Sequence, residues 1–174
     1  MQTELKTNRI VLRVIAEDDI NAVYQGLSNP DVIRYYGVSF DSLAATQEQM
    51  KWFAQKEQKW FAICSLKDGT FYGACGLNTI DLTHQKAEVG LWLLPDFWGK
   101  GLMQEAIAVL CQYGFDTLGL HRIEGFVDTR NAKCIHALTK AGFVYEGTMQ
   151  DCERKNDTFV SISIYALLHN CSGV

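Results

Sequence analysis

The sequence predicts a mixed α/β fold, a central and mostly antiparallel sheet of six to seven strands flanked by helices on both faces. Two observations carry that expectation. Three β-like segments, 60–64, 71–78 and 87–94, follow one another with only turns between them. From Gly101 onward helical and β-like segments alternate, as they do when strands are joined across a helical layer.

The elements read in order as follows. Residues 9–15 form a β-rich opening strand. From Glu17, apolar residues recur at Ile20, Val23, Tyr24 and Leu27, the spacing of a helix with one buried face. Asn29-Pro30-Asp31 interrupts it and starts a short second helix, and the aromatic, glycine-containing stretch 35–40 reads as a loop. Thr46-x-x-Gln49 has the form of a capping box and predicts a third helix running to about residue 58. Lys67-Asp68-Gly69-Thr70 is a hairpin turn, and Thr83-His84-Gln85 a polar loop. A long helix, 101–116, buries Leu102, Ala106, Val109, Leu110 and Tyr113, and Gly119 stops it. A strand at 121–128 leads to a helix at 131–141, with Asn131 as N-cap and Gly142 past its end. A terminal hairpin of 143–153 and 157–168 completes a single domain over 1–174.

Composition narrows the function. With 174 residues and 48% hydrophobic content, the core needs neither a disulfide nor a structural metal. The net charge of −4 is spread along the chain, which argues against nucleic acid as a partner. Met1 to Lys6 cannot serve as a secretory signal, and no apolar run approaches the ~20 residues of a membrane span. Cys64, Cys75, Cys111, Cys134, Cys152 and Cys171 form no C-x-x-C pair and read as reduced thiols of a cytoplasmic protein. The histidines His84, His121, His136 and His169 lack metal spacing, and there is no H-E-x-x-H or G-x-S-x-G, so metal and serine-hydrolase chemistry fall away.

The most informative segment runs from Leu91 through Trp98-Gly99-Lys100-Gly101-Leu102-Met103. A strand ends, the chain turns through two glycines, and a helix begins at once. Glycines let backbone N–H groups approach a phosphate, the helix N-terminus adds partial positive charge, and Lys100 adds a full one. Taken alone, these residues fit an ordinary tight turn equally well. They are neither a Walker A loop nor a dinucleotide fingerprint.

About thirty residues later comes Asn131-Ala132-Lys133-Cys134-Ile135-His136-Ala137-Leu138-Thr139-Lys140-Ala141-Gly142-Phe143. Together the two segments resemble the GNAT acetyltransferase superfamily, with W-G-K-G as its pyrophosphate loop and N-x-x-C…K-A-G-F as its N-x-x-S…K-x-G-F segment. Thr7-Asn8-Arg9-Ile10-Val11-Leu12-Arg13, Ala87-Glu88-Val89-Gly90-Leu91-Trp92-Leu93 and Gly119-Leu120-His121-Arg122-Ile123-Glu124 look like its RimJ/RimL branch, which acetylates protein N-termini. The resemblance covers nearly the whole chain.

It implies a GNAT fold with a V-shaped cleft between strands four and five, 87–94 and 121–128. Acetyl-CoA would lie there, with pantetheine along Leu93 and Leu94 and pyrophosphate on the amides of Gly99, Lys100, Gly101, Leu102 and Met103, beside Trp98. Asn131 would cap its helix and touch the pantetheine. An amine would attack the thioester directly, which needs a base, N–H groups for the developing oxyanion and an acid for the thiolate. Cys134, in the family's serine position, is the candidate acid, its pKa open to lowering by the helix N-terminus, or else a small space-filling residue. Glu153 and Glu88 compete as base, and either reads equally as a solvated strand carboxylate. Trp52, Tyr35, Tyr36 and Phe40 fall where related enzymes shape the acceptor pocket, or belong to the core. Met103 replaces the usual glycine or alanine, and Leu138 stands where a polyamine-acetylating branch has tyrosine. The implied acceptor is a protein or peptide α-amine. A small amine (polyamine, amino acid or aminoglycoside) and a non-catalytic acyl-CoA-binding module are the alternatives, and a homodimer follows by analogy.

Overall fold

The computed structural model describes residues 3–36 and 39–170; Met1, Gln2, Gly37 and Val38 of the expected 35–40 loop, and Cys171 with the three residues after it lie outside them. The strands are β1 (Glu4–Lys6), β2 (Ile10–Val14), β3 (Lys59–Ser65), β4 (Phe71–Asp81), β5 (Lys86–Leu93), β6 (Arg122–Asp128), β7 (Val144–Lys155) and β8 (Thr158–Leu168). The helices are α1 (Ile20–Leu27), α2 (Pro30–Ile33), α3 (Leu43–Phe53), α4 (Leu102–Asp116) and α5 (Ala132–Lys140). They build one eight-stranded sheet in the order β1-β2-β3-β4-β5-β6-β8-β7. Every pairing is antiparallel except β5–β6.

The sheet thus has one strand more than expected. β1 pairs Leu5 with Leu12, but its Glu-Leu-Lys sequence offers one apolar residue and no alternation to detect. The third helix also differs. Ser42 caps it, its Oγ accepting from the Ala45 N–H at 3.1 Å, and the helix stops at Phe53 instead of near residue 58. Thr46 lies inside, fully buried, and its hydroxyl donates back to the Ser42 carbonyl at 2.9 Å, a bond a helix interior tolerates.

Two-residue alternation divides the core between the two faces. Odd residues such as Phe61, Ile63, Cys75, Leu77, Leu93, Ile123 and Val127 pack under α4 and α5. Trp60, Ala74 and Trp92 turn the other way, against Val23, Leu27 and Phe53 of α1 and α3. On α4, Leu102, Ala106, Leu110 and Tyr113 are buried as expected, Ile107, Cys111 and Gly114 widen the stripe, and Val109 sits at its edge.

At the start of α1, Arg13 clamps Asp19 with Nη1 at 2.8 Å and Nη2 at 2.7 Å, and the Ala16 N–H donates to the same carboxylate at 2.8 Å. Burial raises the Asp19 pKa, but the bonds from Arg13 and Ala16 outweigh it and hold the carboxyl below its ordinary range. The folded value lies under the unfolded one, so this stabilisation is fully present above about pH 3.9 and is lost progressively as pH falls from there through the lower folded value. Asp19→Asn is expected to cost about 1–2 kcal/mol at pH 7, a figure discounted for the part-exposed Arg13, and less at pH 3. Urea unfolding at both pH values checks this; equal costs would refute it.

No helix among the described residues is long and apolar enough to cross a membrane.

Candidate active site

The site begins where the sheet comes apart. β5 and β6 pair at Lys86–Arg122, Ala87–Ile123 and Glu88–Glu124 and no further, although β5 continues to Leu93 and β6 to Asp128. Each then follows its outer neighbour, β5 staying with β4 and β6 with β8. Gly125 lies against Leu138 of α5 and Val89, whereas Gly90 lies against Trp60 on the opposite face. The gap is therefore a passage through the sheet. Asn131, Cys134 and Leu138 line one end, and Tyr35, Tyr36, Asp128, Glu153 and Lys155 the other, around a cavity of about 150 Å³. A groove of about 790 Å³ beside α3 and the start of β3 shares no residue with it.

On the α4–α5 side, the glycine turn has the expected form. Gly99 and Gly101 sit at φ 73° and 74°, conformations side chains resist, and Gly101 opens α4 without a capping side chain. The first helical bond runs from Glu105 N–H to the Gly101 carbonyl, so the N–H groups of Leu102, Met103 and Gln104 have no acceptor within the helix. Trp98 Nε1 donates to the Leu93 carbonyl at 2.8 Å and ties the turn to β5. Lys133 lies 4.4 Å over the Trp98 ring and Lys100 5.4 Å over Phe97, so two cations flank the turn. Met103 packs against the main core, which leaves the amides uncrowded. This cradle suits a phosphate anion.

Along β5 one expectation needs correction. The Leu94 N–H already bonds the Tyr72 carbonyl at 2.9 Å, so it points into the sheet. By alternation, the backbone groups of Leu93 and Leu91 turn away from β4 towards the gap. The Tyr36 hydroxyl donates to the Leu91 carbonyl, and desolvation followed by the nearby Cys134 raises its pKa.

Asn131 caps α5, its Oδ1 accepting from the Cys134 N–H at 3.1 Å. The helix N-terminus does not lower the Cys134 pKa: burial pushes it up to about 11. A thiol of that kind stays protonated at neutral pH and can donate a hydrogen bond, but handing its proton to a thiolate of roughly 8.5 is uphill.

The two candidate carboxylates share the face opposite Cys134. Glu88 sits on the last paired rung, half-buried and without an ion pair among the described residues; burial, then the neighbouring Glu124, raises its pKa. Glu124 itself is held by Arg122 at 2.8 Å and Lys86 at 3.7 Å. Glu153 is half-exposed, 3.3 Å from Lys155 Nζ, and faces the cavity because β7 bulges between Met149 and Glu153.

The sequence reading missed Asp128, Arg130 and Lys155. Asp128 ends β6 with a side chain only 1% exposed, and the Arg130 guanidinium holds its carboxyl below the usual range. The signal was present, since a carboxylate at the carboxyl end of a parallel strand adjoins the ligand side of such a sheet. Lys155, next to a hairpin turn, gave none. Trp52 packs in the aromatic cluster with Phe53 and Trp60, and Phe40 against the same core; neither lines the cavity.

Residues 9–144 match the family model described as acetyltransferase (GNAT) domain. The chain belongs to the GNAT acetyltransferase family. It is an acetyl-CoA-dependent N-acetyltransferase. It is similar to the uncharacterized N-acetyltransferase YoaA of Bacillus subtilis, 31% identical over 94% of this chain and 96% of that one. Spermidine N(1)-acetyltransferase of Escherichia coli is also 31% identical, over 80% of this chain and 75% of the relative. Among solved structures, spermidine N-acetyltransferase from Vibrio cholerae in complex with CoA and spermine superposes with a TM-score of 0.85 at 22% identity, covering 93% of this chain and 96% of that one. The GNAT fold expected from the sequence is therefore present, with its cleft between β5 and β6.

Proposed function

We propose that this GNAT enzyme acetylates a small primary amine by direct transfer, the two substrates meeting from opposite faces of the sheet in the gap between β5 and β6. The observation that carries this reading is the passage itself, which joins Asn131, Cys134 and Leu138 on the α5 side to Asp128 and Glu153 on the other, with Lys133 of α5 stacked on Trp98 beside the glycine turn.

Acetyl-CoA supplies the acetyl group as an activated thioester. The amides after Gly99 and Gly101, with Lys100, Leu102, Met103 and Trp98 around them, hold its pyrophosphate. The outward backbone of Leu93 and Leu91 and the side chain of Asn131 align its pantetheine. Glu88 is the base in this reading, because it makes no ion pair among the described residues and burial makes it more basic, while Glu153 already faces Lys155. Cys134 donates a hydrogen bond to the departing sulfur without giving up its proton to it.

The small cavity, roofed by Tyr35 and Tyr36, supports a small acceptor, as do the relative and the structural neighbour named for spermidine. A peptide α-amine is the second reading, favoured by the RimJ/RimL-like segments of β2, β5 and β6.

Lys100→Glu tests the cofactor assignment. It should raise the Kd for acetyl-CoA about tenfold at low salt and much less at high salt, since screening removes the repulsion. An unchanged Kd at low salt removes the glycine turn from the site. Cys134→Ala should lower kcat about two- to tenfold, the value of one hydrogen bond, with acetyl-CoA affinity unchanged; a wild-type rate in steady-state kinetics would leave Cys134 with packing alone.

A further inference from the structure

The cavity is lined at its acceptor end by two carboxylates, Asp128 and Glu153, and each already has its cation. Arg130 grips Asp128 through Nε at 2.9 Å and Nη2 at 2.7 Å. Lys155 Nζ stands 3.3 Å from Glu153, and of that pair the lysine is the buried member, 13% exposed against 51%. The same ammonium donates to the Tyr35 carbonyl at 2.9 Å, while Arg130 lies 5.8 Å over the Tyr35 ring. A lysine head fixed on a backbone carbonyl in a cavity wall is unlike the solvated lysines of a protein surface. It carries three N–H donors, of which Tyr35 and Glu153 occupy two.

We propose that the acceptor carries its own carboxylate beside the amino group, as an α-amino acid does, and that Lys155 is the residue that reads it. The proposal rests on the acetyl-transfer reading above. Charge balance is the argument. A polycation would bring several positive charges to a cavity whose two lining carboxylates are already paired and whose most confined cation is an ammonium; beside it only the base, Glu88, has no ion pair among the described residues. A zwitterion brings one charge of each sign, and its carboxylate takes the remaining N–H of Lys155 while its amine faces the thioester. The whole gap offers about 150 Å³, and its acceptor end less, well below the ~300–1,000 Å³ of a drug-sized site, so the acceptor is small. In the transfer, the amine nitrogen bonds the acetyl carbon as the carbon–sulfur bond breaks. The ammonium first loses one proton to solvent to become the free amine, its second proton passes to Glu88 as the amide forms, the sulfur leaves as CoA thiolate and takes a proton from solvent, and the acceptor carboxylate is unchanged, with a net release of one proton.

The test compares kcat/KM for CoA release with the common α-amino acids, the carboxamides of the same amino acids, and spermidine. Wild type, Lys155→Met and Lys155→Arg are assayed together, with acetyl-CoA affinity measured for each. The carboxamide keeps the amine and side chain and removes only the charge. For the preferred amino acid, the acid-to-amide ratio should fall about tenfold in Lys155→Met and persist in Lys155→Arg. Intrinsic amine basicity cancels in that comparison between enzymes. Lys155→Arg also carries the test if Lys155→Met does not fold, because wild type and Lys155→Arg must then both favour acids over spermidine. A ratio that does not move, or faster turnover of spermidine or the amides than of every acid, overturns the proposal and leaves acetyl transfer intact. Acetyl-CoA that is neither bound nor consumed with any amine overturns both.

Discussion

Glu88→Gln is expected to lower kcat by about 10²-fold or more while leaving the Kd for acetyl-CoA unchanged, the usual scale for loss of a positioned base. The size follows from its surroundings. Glu88 occupies the rung at which β5 and β6 part, one residue before Val89 of the cavity wall, and is not itself in the lining. Burial, then the Glu124 carboxylate, lifts its pKa, so it is a stronger base than a solvated glutamate. Its ionised form is the active one. The rate should therefore fall as pH drops through the raised Glu88 value, above the ordinary carboxylate range, and that limb should vanish in the variant. Glu153→Gln should cost only a few-fold, because Lys155 already shares its charge. Steady-state kinetics across pH for both variants decides the matter. A wild-type rate in Glu88→Gln with a collapse in Glu153→Gln would exchange their roles.

Gly26→Ala is the second large effect, and it falls on stability. A methyl group at Gly26 would stand 2.1 Å from Trp92 Cζ3 and 2.5 Å from Cη2. The Trp92 ring, 4% exposed and 5.9 Å from the Phe71 ring, has little room to retreat. An exposed helical glycine replaced by alanine would gain up to about 1 kcal/mol of helix propensity. Here overpacking should outweigh that gain and leave a net loss of about 1–3 kcal/mol, read as a lower urea midpoint at constant slope. A variant more stable than wild type would mean that α1 does not rest on the Trp92 ring.

What could be read in advance depended on how local its cause was. The glycine turn, the Asn131 cap and the α4 stripe are each written within a few consecutive residues, and all three stand where expected. Trp98 closing onto Leu93 is equally local, five residues apart. The acceptor end was not legible because it is assembled from distant pieces; the Lys155–Tyr35 bond joins residues 120 apart. The bulge in β7 that presents Glu153 leaves no residue pattern of its own. Cys134 was misread for a related reason. Its place in the first turn of α5 suggested a lowered pKa, but burial, which only tertiary packing creates, decides the sign. β1 needed its partner Leu12 to exist at all.

Direct transfer through the gap between β5 and β6 is tested most directly by initial velocities with both acetyl-CoA and the best amine varied. A ternary complex predicts intersecting double-reciprocal lines, an acetylated amine by mass spectrometry, and no acetylated enzyme. Parallel lines, or an acetyl group accumulating on Cys134 when the amine is withheld, would contradict it and make that thiol a nucleophile instead.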